Sequence, residues 1–162
     1  MKLMSINPAY QWHWKKFSQL SVFELYEILK IRQTVFVVEQ QCIYQDADDL
    51  DSHSWHLFFK SSDAQNEQQI IAYLRVVLPN YKYAEPAIGR VLVTHDARGQ
   101  GVGKLLTEKA LQLLRSEFPK QAVRISAQQH LLDFYSQLGF NVVSEPYDED
   151  GIMHVEMLIE SV

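Results

Sequence analysis

Cysteine is nearly absent: Cys42 is the only one in 162 residues. One thiol cannot close a disulfide within its own chain, which removes the cystine-stapled folds and points to a reducing, cytoplasmic setting. Long apolar runs are missing too. Arg75 interrupts the longest candidate, so nothing reaches bilayer-spanning length, and residues 1–8 lack the apolar core of a signal peptide. Basic residues are in deficit, 15 against 20 acidic, for a net charge of −5. That balance argues against general nucleic-acid binding. Repeats, low-complexity tracts and long linkers are absent as well, so residues 1–162 read as one domain long enough for a full core.

Glycine is also scarce, six residues in all, yet Gly99, Gly101 and Gly103 fall at alternate positions of one stretch. Before them, residues 90–94 are β-branched and apolar and suit a buried strand containing Val91, Leu92 and Val93. After them, apolar residues recur at Val102, Leu105, Leu106, Ala110, Leu113 and Leu114, a helical spacing. Glycines without Cβ atoms let the backbone turn sharply and approach a ligand. The unpartnered N–H groups opening a helix, with the helix dipole behind them, favour an anion. Arg98 and Lys104 add positive charge there. The unit predicts a strand, a phosphate- or pyrophosphate-binding loop and a helix.

Two familiar loops do not fit. A Walker loop needs Gly where Arg98 stands and Ser or Thr where Leu105 stands. A dinucleotide fingerprint needs a wider glycine spacing and an acidic residue on the next strand, whereas Glu117 lies in the helix pattern. The run Arg98-Gly99-Gln100-Gly101-Val102-Gly103 instead resembles the acetyl-CoA loop of the GNAT superfamily of N-acetyltransferases, in which Gln or Arg is followed after two residues by Gly, any residue, and Gly or Ala. A second stretch, residues 128–140, has the family's later motif: Gln128 where an Asn usually ends a strand, Tyr135 seven residues on, and a closing Gly139-Phe140. Residues 32–44 and 148–157 are similar to the ElaA-like branch.

The remaining pattern fits that resemblance. Residues 10–17 predict an edge strand. A helix follows, capped by Ser21 with Glu24 at capping-box spacing and running to about Gln33. The state of residues 34–38, Thr-Val-Phe-Val-Val, is ambiguous between helix and strand. Residues 55–60 and 70–78 predict two hairpin strands, and residues 123–127 a parallel crossover strand. Residues 131–138 form a short helix stopped by Gly139, and residues 140–144 and 155–159 two last strands around an acidic turn. The expected fold class is α/β (α+β), a GNAT fold with one mixed central sheet of about six to seven strands and helices on both faces.

The resemblance implies an acyltransferase that moves an acetyl group from acetyl-CoA to a primary amine by direct attack. It implies that the backbone of Val91, Leu92 and Val93 holds the pantetheine arm. Arg98, Gly99, Gln100, Gly101, Val102, Gly103 and Lys104 would hold the pyrophosphate, with Gln128 and Phe134 completing the cofactor site. Tyr135 would protonate the departing thiolate. Glu39 is the first choice of general base, with His56 and His154 behind it. The acceptor is expected to be a small-molecule or peptide amine, with no nucleic-acid or membrane partner and room for a homodimer. A CoA-binding module without turnover is the alternative. The acidic segment 39–53 is expected as a solvated loop whose carboxylates attract a cationic acceptor. No metal is expected: Asp46, Asp48 and Asp51 lack the EF-hand residues at Leu50 and the following position, and His53, His56 and Cys42 match no known zinc spacing.

Overall fold

The computed structural model describes residues 10–61 and 69–161; residues 1–8 and most of the hairpin loop read at 61–69 lie outside them. The strands are β1 (Tyr10–Lys16), β2 (Ser54–Ser61), β3 (Ile70–Val77), β4 (Ala87–Val93), β5 (Val123–Gln128), β6 (Asn141–Val142), β7 (Tyr147–Glu149) and β8 (Ile152–Ile159). The helices are α1 (Val22–Arg32), α2 (Val102–Glu117) and α3 (Leu132–Gln137). One mixed sheet runs β1-β2-β3-β4-β5-β8-β6, with β7 also paired to β8. Strand β1 is indeed an edge strand, and β4 and β5 are parallel across the α2 crossover. The sheet has eight strands rather than six or seven. The addition is β7, read from sequence as a turn; it pairs from Tyr147↔His154 to Glu149↔Ile152. No helix among the described residues is long and apolar enough to cross a membrane.

Side-chain alternation along the strands splits the core. Leu57, Phe59, Leu74 and Ile88 face α2, which buries Leu106, Ala110 and Leu114 against them. Phe58, Tyr73 and Leu92 face the other way and meet Ile28, Val35 and Phe36. Helix α1 starts at the expected capping box: Glu24 N donates to Ser21 Oγ at 3.1 Å, and Ser21 N to the Glu24 carboxylate at 2.9 Å. The ambiguous stretch is helical. Residues Gln33–Glu39 continue α1 as a wide π-helical turn, with Gln40 N donating to Val35 O at 3.2 Å. Burial of Val35 and Phe36 against the sheet overrides the β preference of the run.

The feature that positions the site is a break in the middle of the sheet. Strands β4 and β5 pair only at Ala87↔Arg124 and Ile88↔Ile125. On the opposite edge of β4, Tyr73 faces Leu92 while Arg75 faces Gly89, so β4 carries one extra residue, a bulge. Arg90 takes up the distortion at φ +53°. The bulge bends β4 away from β5, and the two strands splay toward their carboxyl ends.

Candidate active site

The splay opens a cavity of about 170 Å³ between β4 and β5. Ile88, Gly89 and Val91 form one wall, Ser126 and Gln128 the other, and Phe36 with Tyr44 the roof. Clefts at the carboxyl ends of parallel strands are the usual place for ligands in α/β sheets. Of the three residues expected to hold a pantetheine arm, Val91 lines the cavity, Leu92 is buried in the α1-side core and Val93 packs toward α2.

The glycine loop lies where β4 hands over to α2. Gly99 and Gly101 have φ of +75° and +76°, the left-handed region that favours glycine, and a Cβ on either would meet nothing within 4 Å. Gly101 is the N-cap of α2 and offers no capping side chain, so the first helical N–H groups are left without a side-chain cap. Gly103 serves a different end: its Cβ position lies 3.5 Å from Val93 Cγ2 and 3.9 Å from the Phe134 ring, which brings the loop, β4 and α3 together. Lys104 is exposed, 4.0 Å from Glu108. Gln100 lies against Tyr10 Oη at 3.4 Å and donates to Asp96 O at 3.2 Å. Arg98 is exposed at the loop and paired within the chain: its Nε donates to Val93 O at 3.0 Å and its Nη2 to Glu39 Oε2, so it braces the loop. The same ion pair engages Glu39, the first choice of general base.

Tyr135 is held by its helix ending. Gly139, at φ +98°, follows α3, with Gly139 N donating to Ser136 O and Phe140 N to Tyr135 O. This is the Schellman pattern, and its hydrophobic contact is present as Phe140 edge-on to Tyr135. The Tyr135 ring is 4% exposed, yet the residue borders the cavity. No described residue is hydrogen-bonded to its hydroxyl. Burial raises the phenol pKa, so Tyr135 keeps its proton at neutral pH. Gln128 reaches across the opening to Gln40, Nε2 to Oε1 at 3.5 Å.

The acidic segment is only in part a solvated loop: Asp49 is exposed, while three other aspartates are paired. Asp46 accepts from Arg32 Nε at 2.8 Å and pairs with Arg90 Nε at 2.7 Å. Asp51 accepts from Arg32 Nη1 at 2.6 Å and Arg75 Nη1 at 2.9 Å, and Asp48 accepts from both Arg75 terminal nitrogens. Arg32 is fully buried. These carboxylates are committed to the fold and are unavailable to an acceptor cation. Burial alone would raise the Asp48 carboxyl pKa, but the hydrogen bonds and charge of Arg75, aided by Arg90, hold it well below the usual range. His56 is structural: Nδ1 meets Tyr73 Oη at 2.8 Å and Nε2 meets Asp51 O at 3.0 Å. His53 stacks on Tyr81.

The wall formed by β7 and β8 holds polar groups that sequence reasoning passed over. Ser126 Oγ lies 2.5 Å from Tyr147 Oη and 3.1 Å from Glu149 Oε2, and Glu149 Oε2 lies 3.9 Å from His154 Nε2. Only His154 was singled out beforehand. The alternation of Tyr147 and Glu149 was the available signal for a strand placing both side chains on one face.

The match to known proteins covers most of the chain. Residues 31–161 match the model of the acetyltransferase (GNAT) domain. A UPF0039 protein of Synechocystis is 45% identical over 155 residues, 96% of each chain. The crystal structure of an acyl-CoA N-acyltransferase from Pseudomonas aeruginosa superposes with a TM-score of 0.87 at 39% identity, covering 93% of this chain and 99% of that one. Escherichia coli ElaA does so with a TM-score of 0.85 at 37% identity and the same coverage.

Proposed function

We propose that this chain, which belongs to the GNAT acetyltransferase family, moves an acetyl group from acetyl-CoA to a primary amine by direct attack. Membership makes it an acyltransferase that draws on an acyl-CoA; the acetyl group and the amine are the narrower reading. One observation carries that reading: the splay of β4 from β5 joins the left-handed glycine loop on one side to a cavity with Tyr135 in its wall on the other. The described residues fit such a ligand. The uncapped N–H groups at Gly101, with no atom near the Cβ positions of Gly99 and Gly101, suit a pyrophosphate. The backbone of Val91, which does not pair with β5, suits an extended arm laid along the strand edge.

When bound, the thioester supplies an activated acyl carbon and a thiolate leaving group. The chain's residues do the rest. The cavity walls hold the amine nitrogen against that carbon, which replaces a chance encounter with a fixed approach. The C–N bond forms as the C–S bond breaks, and Tyr135 gives its proton to the departing sulfur. Glu39, through Arg98 and the Val93 carbonyl, keeps the loop in place. The description of the Pseudomonas relative as an acyl-CoA N-acyltransferase supports nitrogen as the acceptor atom.

Incubation with acetyl-CoA and a panel of primary amines, read by thiol release and product mass, tests this. A product heavier by one acetyl group on an amine is the expected result. CoA binding with no product on any amine would leave a binding module and remove the enzyme.

A further inference from the structure

We infer that His154 Nε2 takes the proton from the attacking amine, with Glu149 holding the charge that results. The inference rests on the amine reading above. A lysine-like amine has a pKa of about 10.4, so only about 0.04% is neutral at pH 7, and a base inside the cavity makes up part of that deficit. Glu39 is tied to Arg98 and Asp46, Asp48 and Asp51 are tied to arginines, which removes the carboxylates that sequence favoured.

His154 is arranged for the task. Its Nδ1 lies 2.8 Å from the carbonyl of Ile152, a group that only accepts. The ring proton therefore sits on Nδ1, and Nε2 presents its lone pair. The side chain is 13% exposed and lines the cavity, opposite Gln128 in the β5–β8 ladder at the mouth of the splay. Tyr147 stacks on the imidazole with centroids 6.2 Å apart. Tyr147 Oη donates to Ser126 Oγ, whose own proton goes to Glu149 Oε2; burial raises the Tyr147 phenol pKa, so this donor stays protonated. Glu149 is thus aimed at Nε2 from 3.9 Å, close enough to stabilise an imidazolium and too far to occupy the lone pair. Other charges facing the cavity are Asp150, beside Glu149, Lys82 and Arg90 from the β4 side, and Arg75 of β3; Arg90 is neutralised by Asp46 and Arg75 by Asp48 and Asp51.

The protons balance. The amine N–H electron pair stays with nitrogen as the C–N bond forms, its proton moves to Nε2, the imidazolium returns it to water through the open cavity, and the Tyr135 oxygen takes one proton back from water to replace the one given to sulfur. His154 is the catalytic residue and Glu149 a positioning residue.

The test compares two acceptors with acetyl-CoA: the best alkylamine from the panel above, and hydroxylamine, which is neutral at the assay pH. His154→Gln should lower kcat/KM for the alkylamine by about 10²- to 10³-fold, the usual worth of a positioned base. With hydroxylamine the loss should be far smaller. The acid limb of the alkylamine rate–pH profile should move to higher pH in His154→Gln, where the amine must lose its proton unaided, and to lower pH in Glu149→Gln, where the imidazolium loses its stabilising charge, while both variants keep the CoA-induced rise in melting temperature. Equal losses on both acceptors, or an unmoved profile, overturn the assignment while leaving acetyl transfer intact. A wild type that acetylates neither acceptor overturns the amine reading and this inference with it.

Discussion

The Tyr135 ring sits edge-on to Phe134 at 5.0 Å and to Phe140 at 6.0 Å, so its packing is apolar while its hydroxyl belongs to a residue bordering the cavity. Those two properties separate cleanly in Tyr135→Phe, which keeps the ring and removes only the oxygen. With chemistry rate-limiting, kcat should fall by roughly 10- to 1,000-fold, since a thiolate of pKa near ~8.5 is already a fair leaving group and needs less help than an alkoxide. The KM for acetyl-CoA should change little. Wild-type kcat in this variant would reduce Tyr135 to a packing residue. At this scale the sequence was informative about Tyr135, because Gly139 and Phe140 mark the helix end that fixes it. It was less so for Glu39 and Arg98, whose ion pair joins residues 59 positions apart. Ser126 was invisible, since it stands in an ordinary strand pattern, and Glu149 left only its alternation with Tyr147 as a signal, in a stretch that otherwise reads as an acidic turn.

At the scale of elements, α2 and its loop are where local sequence and structure agree most closely. Alternate glycines can be read from spacing alone, and Gly99 and Gly101 do adopt the left-handed backbone that their lack of Cβ permits. The bulge in β4 could not be read, because Arg90 at φ +53° is imposed by pairing with β3 and not by the residue's own preference. Nor could the π-helical turn at Gln33–Glu39, where tertiary packing decides against a β-branched run. The loop gives a direct test. Gly101→Asp places a carboxylate at the open N-terminus of α2, where it repels a phosphate and satisfies the same N–H groups. Wild-type protein should melt at a higher temperature with CoA than without, because CoA binds only the native state. The variant should lose that rise while still folding, with a baseline lowered by about 1 kcal/mol for the strained backbone. A CoA-induced rise of wild-type size in Gly101→Asp would take the loop out of the site.

For the whole molecule, the decisive feature is the charge lattice that pins segment 46–51 between α1 and the sheet. Sequence reading treated its aspartates as solvated because their partners are distant in the chain: Arg32 lies 14 residues from Asp46, Arg75 lies 24 from Asp51, and Arg90 lies 44 from Asp46. Breaking one member leaves buried guanidinium charge without its counterpart. Asp51→Asn should therefore cost about 3–5 kcal/mol, the usual penalty for removing one partner of a buried pair, or on the order of 10 °C in melting temperature for a chain of this size. The lattice also sets the acid response. Burial lowers the His56 pKa, so below its unfolded value of about 6.5 the unfolded chain binds the proton more readily and stability falls with pH. Asp48 and Asp51 have native pKa values depressed by their arginines, against the opposing effect of burial. Their contribution is complete above the unfolded value of about 3.9 and is lost as pH drops below it. Melting temperature against pH should thus decline gently below about pH 6.5 and steeply below about pH 4. In Asp51→Asn the whole curve should lie lower, and the steep stage should be shallower because one titrating carboxylate is gone. A variant melting within a degree or two of wild type at pH 7 would mean that Arg32 and Arg75 do not depend on Asp51, and the lattice would not be what holds segment 46–51 against α1 and the sheet.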